Sequence, residues 1–474
     1  MILIPAFVIL GLGQDQAPIT AFPNGPKAPA PRVKDLAVPP APVAPGPLGG
    51  QNPLPASEPL TADEAARIAL KLQPSLGQQV GAIQAQKGVT GQIGSAAKPQ
   101  VGGDLGYNQI SSISGQPSTG QEAPNLALPV GSSPVYRYAS AAAIHQLLYD
   151  FNRTRSLVRQ SEALEGAAKA NLTIAQEDLV LDVEQAFYNY QSALRLVRVN
   201  EDNVANRQRQ LDLTTALFTS GIGRPSDVAI AQASKSQAVL GLNQARDAAE
   251  QTRIQLLEQM GVDPMTPLSV AETDAPEPSS RDPRTLTDHA LRTRPEVLAA
   301  ERNVVAARFG LSAARAADLP TLYAQAGAGL AGMDFPLKQN TSSLAVGLSI
   351  PIVDGGYRAG AIQQAHGEIL SAESALKTVF QQVRTDVASA YMALQSAEQR
   401  ISITGNEVFN AAEALRLAEG RYSAGVGLFL DITSAQSILL SAQTDQANAR
   451  NALAQARTLL SRATGDFGGY ASPL

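Results

Sequence analysis

The residues able to do chemistry are few and scattered. The chain has no Cys and only three His, namely His145, His289 and His366. Without Cys there is no thiol nucleophile, thiolate metal site, disulfide framework or cysteine-borne lipid anchor. The histidines stand far apart, with neither an HExxH spacing nor a CxxC partner, so metal ligation is not indicated. Gly327-Ala-Gly-Leu-Ala-Gly332 matches G-x-G-x-x-G. A dinucleotide site needs that motif between a strand and a helix N-terminus, whereas here it lies within or at the end of a predicted strand, ahead of a polar loop. Carboxylates are numerous but sit beside Arg, Lys and Gln on predicted helix faces, as solvated coiled-coil surfaces do. No Ser-His-Asp arrangement can be picked out. The expectation is a protein with no catalytic residues, no cofactor and no metal. The net charge of -5 also argues against nucleic-acid binding, which relies on a basic footprint. Asp227 and Asp431 stand out by position, because each follows a glycine turn, where an acid can cap the next helix.

The elements around these residues repeat. Asp150–Gly261 aligns with Asp354–Gly465 at a constant offset of 204 residues and without a gap. Matching pairs include Val183/Val387, Gly221/Gly425, Asp227/Asp431, Gln232/Gln436 and Gly261/Gly465. Such self-similarity signals a duplicated unit. The copies span residues 60–261 and 286–465, joined by a Pro- and acid-rich linker over 262–285 and followed by a short tail, 466–474. The first copy carries extra residues in Ser111–Pro134, a Ser/Gly/Pro-rich stretch that reads as a loop. Ahead of the duplication, residues 1–13 form an apolar run with the length of a signal-peptide core but no basic start. Residues 14–59 hold 13 Pro and should form an extended or disordered lead. Thr61-Ala-Asp-Glu64 resembles a capping box that opens the first helix.

Each copy predicts a helix of about 35 residues, two strands around a loop, a very long helix, a glycine turn and a shorter returning helix. The long helices carry heptads. Leu179, Val183, Ala186, Tyr190, Ala193, Val197, Val204, Leu211 and Phe218 share one seam, interrupted by Asn200, Arg207 and Thr214. The second copy repeats it from Val383 to Tyr422 with Thr404 as the single polar exception. A sustained 3.5-residue period is the coiled-coil signal. A run from Asp150 to Ser220 without Pro reaches roughly 100 Å as a helix. The strands are expected near 100–109, 135–148, 321–331 and 341–352. In Ser342–Ile352, Leu344, Val346, Leu348 and Ile350 share one face, while Ser343, Ala345, Gly347 and Ser349 share the other. Strands of about ten residues with one apolar and one small or polar face suit a membrane β-barrel. No later stretch approaches the roughly 18 apolar residues of a transmembrane helix. Four strands cannot close a barrel, so strands that cross a membrane require oligomerisation. The competing reading is a coiled-coil scaffold without a pore, whose sheet is half-buried in a soluble domain.

The duplicated plan resembles the TolC-like outer-membrane efflux proteins over about residues 60–465. The carriers are Leu60-Thr-Ala-Asp-Glu-Ala-Ala-Arg-Ile-Ala-Leu70 with Pro74, Leu319-Pro320, Ile350-Pro-Ile-Val-Asp-Gly-Gly356, and above all Arg421-Tyr-Ser-Ala-Gly425 followed by Asp431-Ile-Thr-Ser-Ala-Gln436. The resemblance implies a mainly α fold with some β. It implies a homotrimer with a 12-stranded barrel among outer-membrane lipids, continued by a long periplasmic α-barrel with an equatorial belt. It further implies a passive exit duct of a tripartite efflux or type I secretion system, joined to a periplasmic adaptor and through it to an inner-membrane pump. The turns at Gly221, Gly223, Arg224, Gly425 and Gly427 would be the periplasmic tips where adaptors dock. Asp431 matches an acid that rings the closed aperture, and Tyr422 and Asp227 match a pair that can hydrogen-bond between coiled coils. Phe218 aligns with Tyr422 in the first copy as an apolar closure. Two positions depart from the pattern: a second aperture acid is Ser434 here, and a latch Arg is replaced by Gly427, with Arg224 one position from the corresponding place in copy one.

Overall fold

The computed structural model describes residues 59–110, 135–277, 282–332, 337 and 339–469. The signal-like start, nearly all of the Pro-rich lead, and the Ser111–Pro134 loop lie outside the described residues. Each copy opens with a pair of helices: α1 (Ala62–Leu72) and α2 (Ser75–Ser95), repeated as α5 (Pro283–Thr293) and α6 (Pro295–Ala316). The single helix of about 35 residues expected from the sequence is therefore broken in both copies. The break falls at Pro74 and Pro295. Gln73 and Arg294, which precede them, are extended at φ/ψ of -70/117 and -64/130, because the proline ring excludes the helical region for its predecessor. Thr61 and Glu64 form the expected capping box.

The strands are β1 (Gln100–Ile110), β2 (Val135–Tyr149), β3 (Thr321–Gly332) and β4 (Gln339–Ser349). They pair antiparallel in the order β1-β2-β3-β4, so the hairpins of the two copies join through β2 and β3. β1 and β4 are edges with no partner among the described residues. The register sets Val101, Ile144, Ala326 and Leu344 side by side in one row. The rows on the other face include Gln100, His145, Gln325 and Ala345, then Gly102, Ala143, Gly327 and Ser343.

From the sheet run the long helices α3 (Arg153–Thr219) and α7 (Tyr357–Ser423), each of 67 residues. The returning helices α4 (Pro225–Met260) and α8 (Phe429–Thr464) have 36 residues each. At 1.5 Å per residue the long helices extend about 100 Å. No helix among the described residues is long and apolar enough to cross a membrane. The heptad seams are buried at their sheet-side ends, where Leu179, Val183, Val383 and Val387 are covered, while toward the tip the α3 seam is half-buried at Val204 and Leu211 and exposed at Phe218. Around the middle of α3 the chain's entry, linker and end converge. Leu60 bridges Val270 in the linker, Gln191 donates to the carbonyls of Ala271 and Thr273, and Phe467 of the terminal 3-10 helix packs on Val180.

Charged side chains also tie the copies together at this level. Arg462 of α8 bonds Asp178 of α3 at 2.8 Å and Glu296 of α6 at 2.6 Å. Arg294 holds the same Glu296 and reaches Asp386 of α7 at 2.8 Å. Buried Glu177 lies 3.0 Å from Arg462 Nη1, but neither atom makes a hydrogen bond. Burial dominates over that attraction and pushes the Glu177 carboxyl up to about 7.

Candidate functional site

Two regions stand apart from the packed wall: the tips of the helices and the apolar face of the sheet. The tips are built by glycine. α3 ends at Thr219 with Ser220 as its cap, and Gly221 turns left-handed at φ 81, so that Gly221 N–H donates to the Phe218 carbonyl and Ile222 N–H to the Leu217 carbonyl. α7 ends in the same way, with Gly425 at φ 75, Gly425 N–H on Tyr422 and Val426 N–H on Arg421. Both are Schellman caps, in which a residue without Cβ takes the left-handed position at low cost. The second glycine of each tip is required by contact. A Cβ at Gly223 would lie 2.6 Å from the Phe218 nitrogen, and one at Gly427 would lie 3.0 Å from the Tyr422 nitrogen.

The two repeat-related aspartates then diverge. Both occupy the third position of a returning helix. Asp431 Oδ2 accepts the N–H of Leu428 at 3.3 Å, capping its own helix. Asp227 Oδ2 instead accepts the hydroxyl of Tyr422 at 3.1 Å. That bond links the end of α7 to the start of α4, and so the coiled coil of one copy to that of the other. Tyr422 is buried against Phe429, ring centroids 5.6 Å apart, in a cluster with Leu415, Ile432 and Ala231. Burial, followed by the Asp227 carboxylate, pushes the Tyr422 hydroxyl up to about 12. Phe218, its counterpart in copy one, is exposed instead. Arg224 caps α4 with its backbone and makes no hydrogen bond or ion pair among the described residues, although its charge is felt at Tyr422. Ser434 is exposed and lines a groove between α4 and α8.

On the sheet, Leu344, Val346 and Leu348 share a face and are 82%, 67% and 58% exposed. Val101, Leu105, Ile144 and Leu330 extend the same apolar surface across the other strands. Ile350 does not belong to it as a strand residue, since β4 stops at Ser349, and Ile350 and Ile352 continue as exposed coil around Pro351. Proline carries no N–H for the ladder. A contiguous apolar patch of this extent marks a membrane or partner surface. The opposite face carries small and polar side chains, and His145 there stacks on Tyr323 at 5.6 Å. His289 pairs with Asp466, His366 lies by Arg315, and no cluster able to hold a metal exists among the described residues. The G-x-G-x-x-G segment lies inside β3.

The family model described as outer membrane efflux protein matches residues 65–262 and 286–466, one span for each copy. The chain belongs to the outer membrane efflux protein family. It is therefore an outer-membrane transport duct and not an enzyme. Outer membrane efflux protein BepC of Brucella suis is 28% identical over 346 residues, covering 71% of this chain and 74% of the relative. Protein CyaE of Bordetella pertussis is 26% identical over 393 residues, covering 80% and 78%. Outer membrane protein TolC of Escherichia coli is 24% identical over 330 residues, covering 66% of each. The fold is shared with a membrane protein from Pseudomonas aeruginosa (TM-score 0.74, 22% identity, 85% of this chain and 93% of the other). It is also shared with VceC from Vibrio cholerae (TM-score 0.72, 18% identity, 85% and 96%).

In this outer membrane efflux protein, tip glycines and an apolar strand face were legible in sequence. Two features were not. The Arg462–Glu296–Arg294 network has no spacing signature, because its members come from different helices. The pocket around Arg207 showed only as an interruption of the α3 seam.

Proposed function

We infer that three copies of this chain form the exit duct of a tripartite efflux or type I secretion system. The observation that carries this reading is the pair of open edges, β1 and β4, on a sheet with an apolar outer face. Unpaired backbone groups cannot be left in lipid, and four strands are too few for a membrane barrel, whose lower limit is about eight. Three chains supply 12 strands, and the long helices continue them as an α-helical wall into the periplasm. Leu344, Val346 and Leu348 face lipid, and the polar face lines the lumen. The tips at Gly221, Gly223, Arg224, Gly425 and Gly427 meet a periplasmic adaptor, which connects the duct to an inner-membrane pump.

Closure lies at the same tips. The Tyr422–Asp227 bond holds the two coiled coils of a protomer in the closed arrangement, with Phe218 adding apolar surface. Asp431 appears three times around the axis near Ser434, and three carboxylates at a constriction attract cations. Asp431→Asn retains a side-chain oxygen able to cap α8 and removes the charge alone. Planar-bilayer recordings test the reading: the wild-type channel is cation-selective, and the Asn variant loses part of that selectivity with its folding intact. Unchanged selectivity and unchanged block by multivalent cations would leave Asp431 as a helix cap only.

A further inference from the structure

Arg207, Arg294 and Arg462 are the buried arginines among the described residues. Arg294 and Arg462 are each ringed by carboxylates. Arg207 is 8% exposed and has no carboxylate in ion-pair range among the described residues. Its guanidinium bonds two neutral acceptors, Gln210 Oε1 and Ser437 Oγ, both at 3.3 Å. Both residues spend their own donors elsewhere. Ser437 Oγ donates its own proton to the Thr433 carbonyl at 2.9 Å. Gln210 passes the chain on to Gln436, which donates to Asn203 Oδ1 at 3.3 Å. Desolvation is the one resolved influence on Arg207, and no neighbouring charge offsets it. A buried cation normally acquires a counter-charge, because an unpaired one is strongly unfavourable away from water.

Arg207 lines an open groove of about 720 Å³ between α4 and α8, floored by α3. The volume falls in the range of small-molecule sites, about 300–1,000 Å³. Ser234 and Gln237 of α4 and Thr433, Ser434 and Ser437 of α8 line it, and no carboxylate does. Hydroxyls and amides around one Arg are donors suited to the planar oxygens of an anion, which a guanidinium can bind bidentately.

We propose that this groove is a binding site for a small oxyanion of the carboxylate or phosphate class, with Arg207 as the charged anchor and Ser234, Gln237 and Ser434 as supporting donors. One site per protomer lies in the coiled-coil wall between the sheet and the tip turns, with Ser434 at its tip end. The anion supplies the counter-charge that the described residues do not place beside Arg207.

Isothermal titration of the purified, detergent-solubilised assembly tests this, with citrate and with phosphate as probes against chloride at matched ionic strength. The wild type should bind citrate or phosphate saturably at one site per chain, with chloride failing to substitute. Arg207→Gln should weaken binding at least tenfold. Gln237→Glu provides an independent arm, because a carboxylate placed in the groove should fill the site from within and give the same loss in a folded protein. Three results would overturn the proposal: no saturable binding by the wild type, wild-type affinity in the Gln237→Glu protein, or equal competition by chloride.

Discussion

Removing the bond between Tyr422 and Asp227 should loosen the closed state by an amount the geometry bounds. The hydroxyl donates to a carboxylate at 3.1 Å in a partly buried setting, and hydrogen bonds to charged groups contribute about 1.5–3 kcal/mol. The rise of the Tyr422 pKa from 10.0 to about 12 corresponds to roughly 3 kcal/mol at about 1.4 kcal/mol per unit. That is a ceiling for the bond, since burial is the larger cause of the shift. Together these put the pair at about 1–2 kcal/mol. Three pairs released in concert in a trimer would favour opening by about 3–6 kcal/mol, which at 1.4 kcal/mol per tenfold is roughly a 10²- to 10⁴-fold shift in the equilibrium. Tyr422→Phe and Asp227→Ala differ in kind. The first leaves a carboxylate at a helix start, where water and the helix N-terminus support it, and the second strands a buried hydroxyl. A double-mutant cycle separates the coupling from those side effects. The assay is single-channel conductance of the reconstituted protein for all four cycle members. The double variant should open more often and conduct more. Indistinguishable conductance and open probability across the cycle would refute the role given to this bond.

Three further outcomes follow from the structure. Val346→Arg should cost about 2–4 kcal/mol, the mid-bilayer penalty on a lipid-facing strand, and reduce outer-membrane insertion, while Ser343→Arg on the opposite face should be tolerated; fractionation of membranes compares the two. Gly223→Ala should destabilise its tip by about 1–3 kcal/mol through overpacking, more than Gly427→Ala, because its Cβ would meet backbone at 2.6 Å and not 3.0 Å; hydrogen exchange around 217–228 reads the difference. Glu177, raised from 4.5 to about 7, binds its proton more tightly in the folded state. Its contribution to stability is full below about 4.5 and is lost as the pH rises through about 7. Denaturation across that window should show a steeper loss of stability in the wild type than in Glu177→Gln, and equal slopes would remove burial as the cause.

Much of the architecture was legible because the duplication and the 3.5-residue period leave marks that no local propensity can mimic. Val183 and Val387 could be named as core from their spacing alone, and both are fully covered. Where the reading failed, proline decided. Alternation through Ile350 and Ile352 is real in the sequence, but Pro351 cannot extend the ladder, so β4 ends at Ser349. The same ring chemistry split the leading helix of each copy at Pro74 and Pro295. At the tips, the repeat alignment placed Asp227 and Asp431 in equivalent positions, yet one reaches Tyr422 and the other caps α8. The difference arises from the partner residue, Tyr422 in one copy and Phe218 in the other, and from which helices lie opposite, which a single sequence does not state. Arg207 looked like a flaw in a heptad and proves to be the uncompensated charge of a polar layer joining Asn203, Gln210 and Gln436.

The central claim is that the strands of one chain are part of a shared barrel. The stoichiometry of the detergent-extracted protein, measured by light scattering or mass photometry with the detergent contribution subtracted, tests it most directly. The account predicts three chains in one particle, which aggregates when detergent is withdrawn because the face bearing Leu344, Val346 and Leu348 then meets water. A folded, monodisperse monomer that remains soluble without detergent would contradict it.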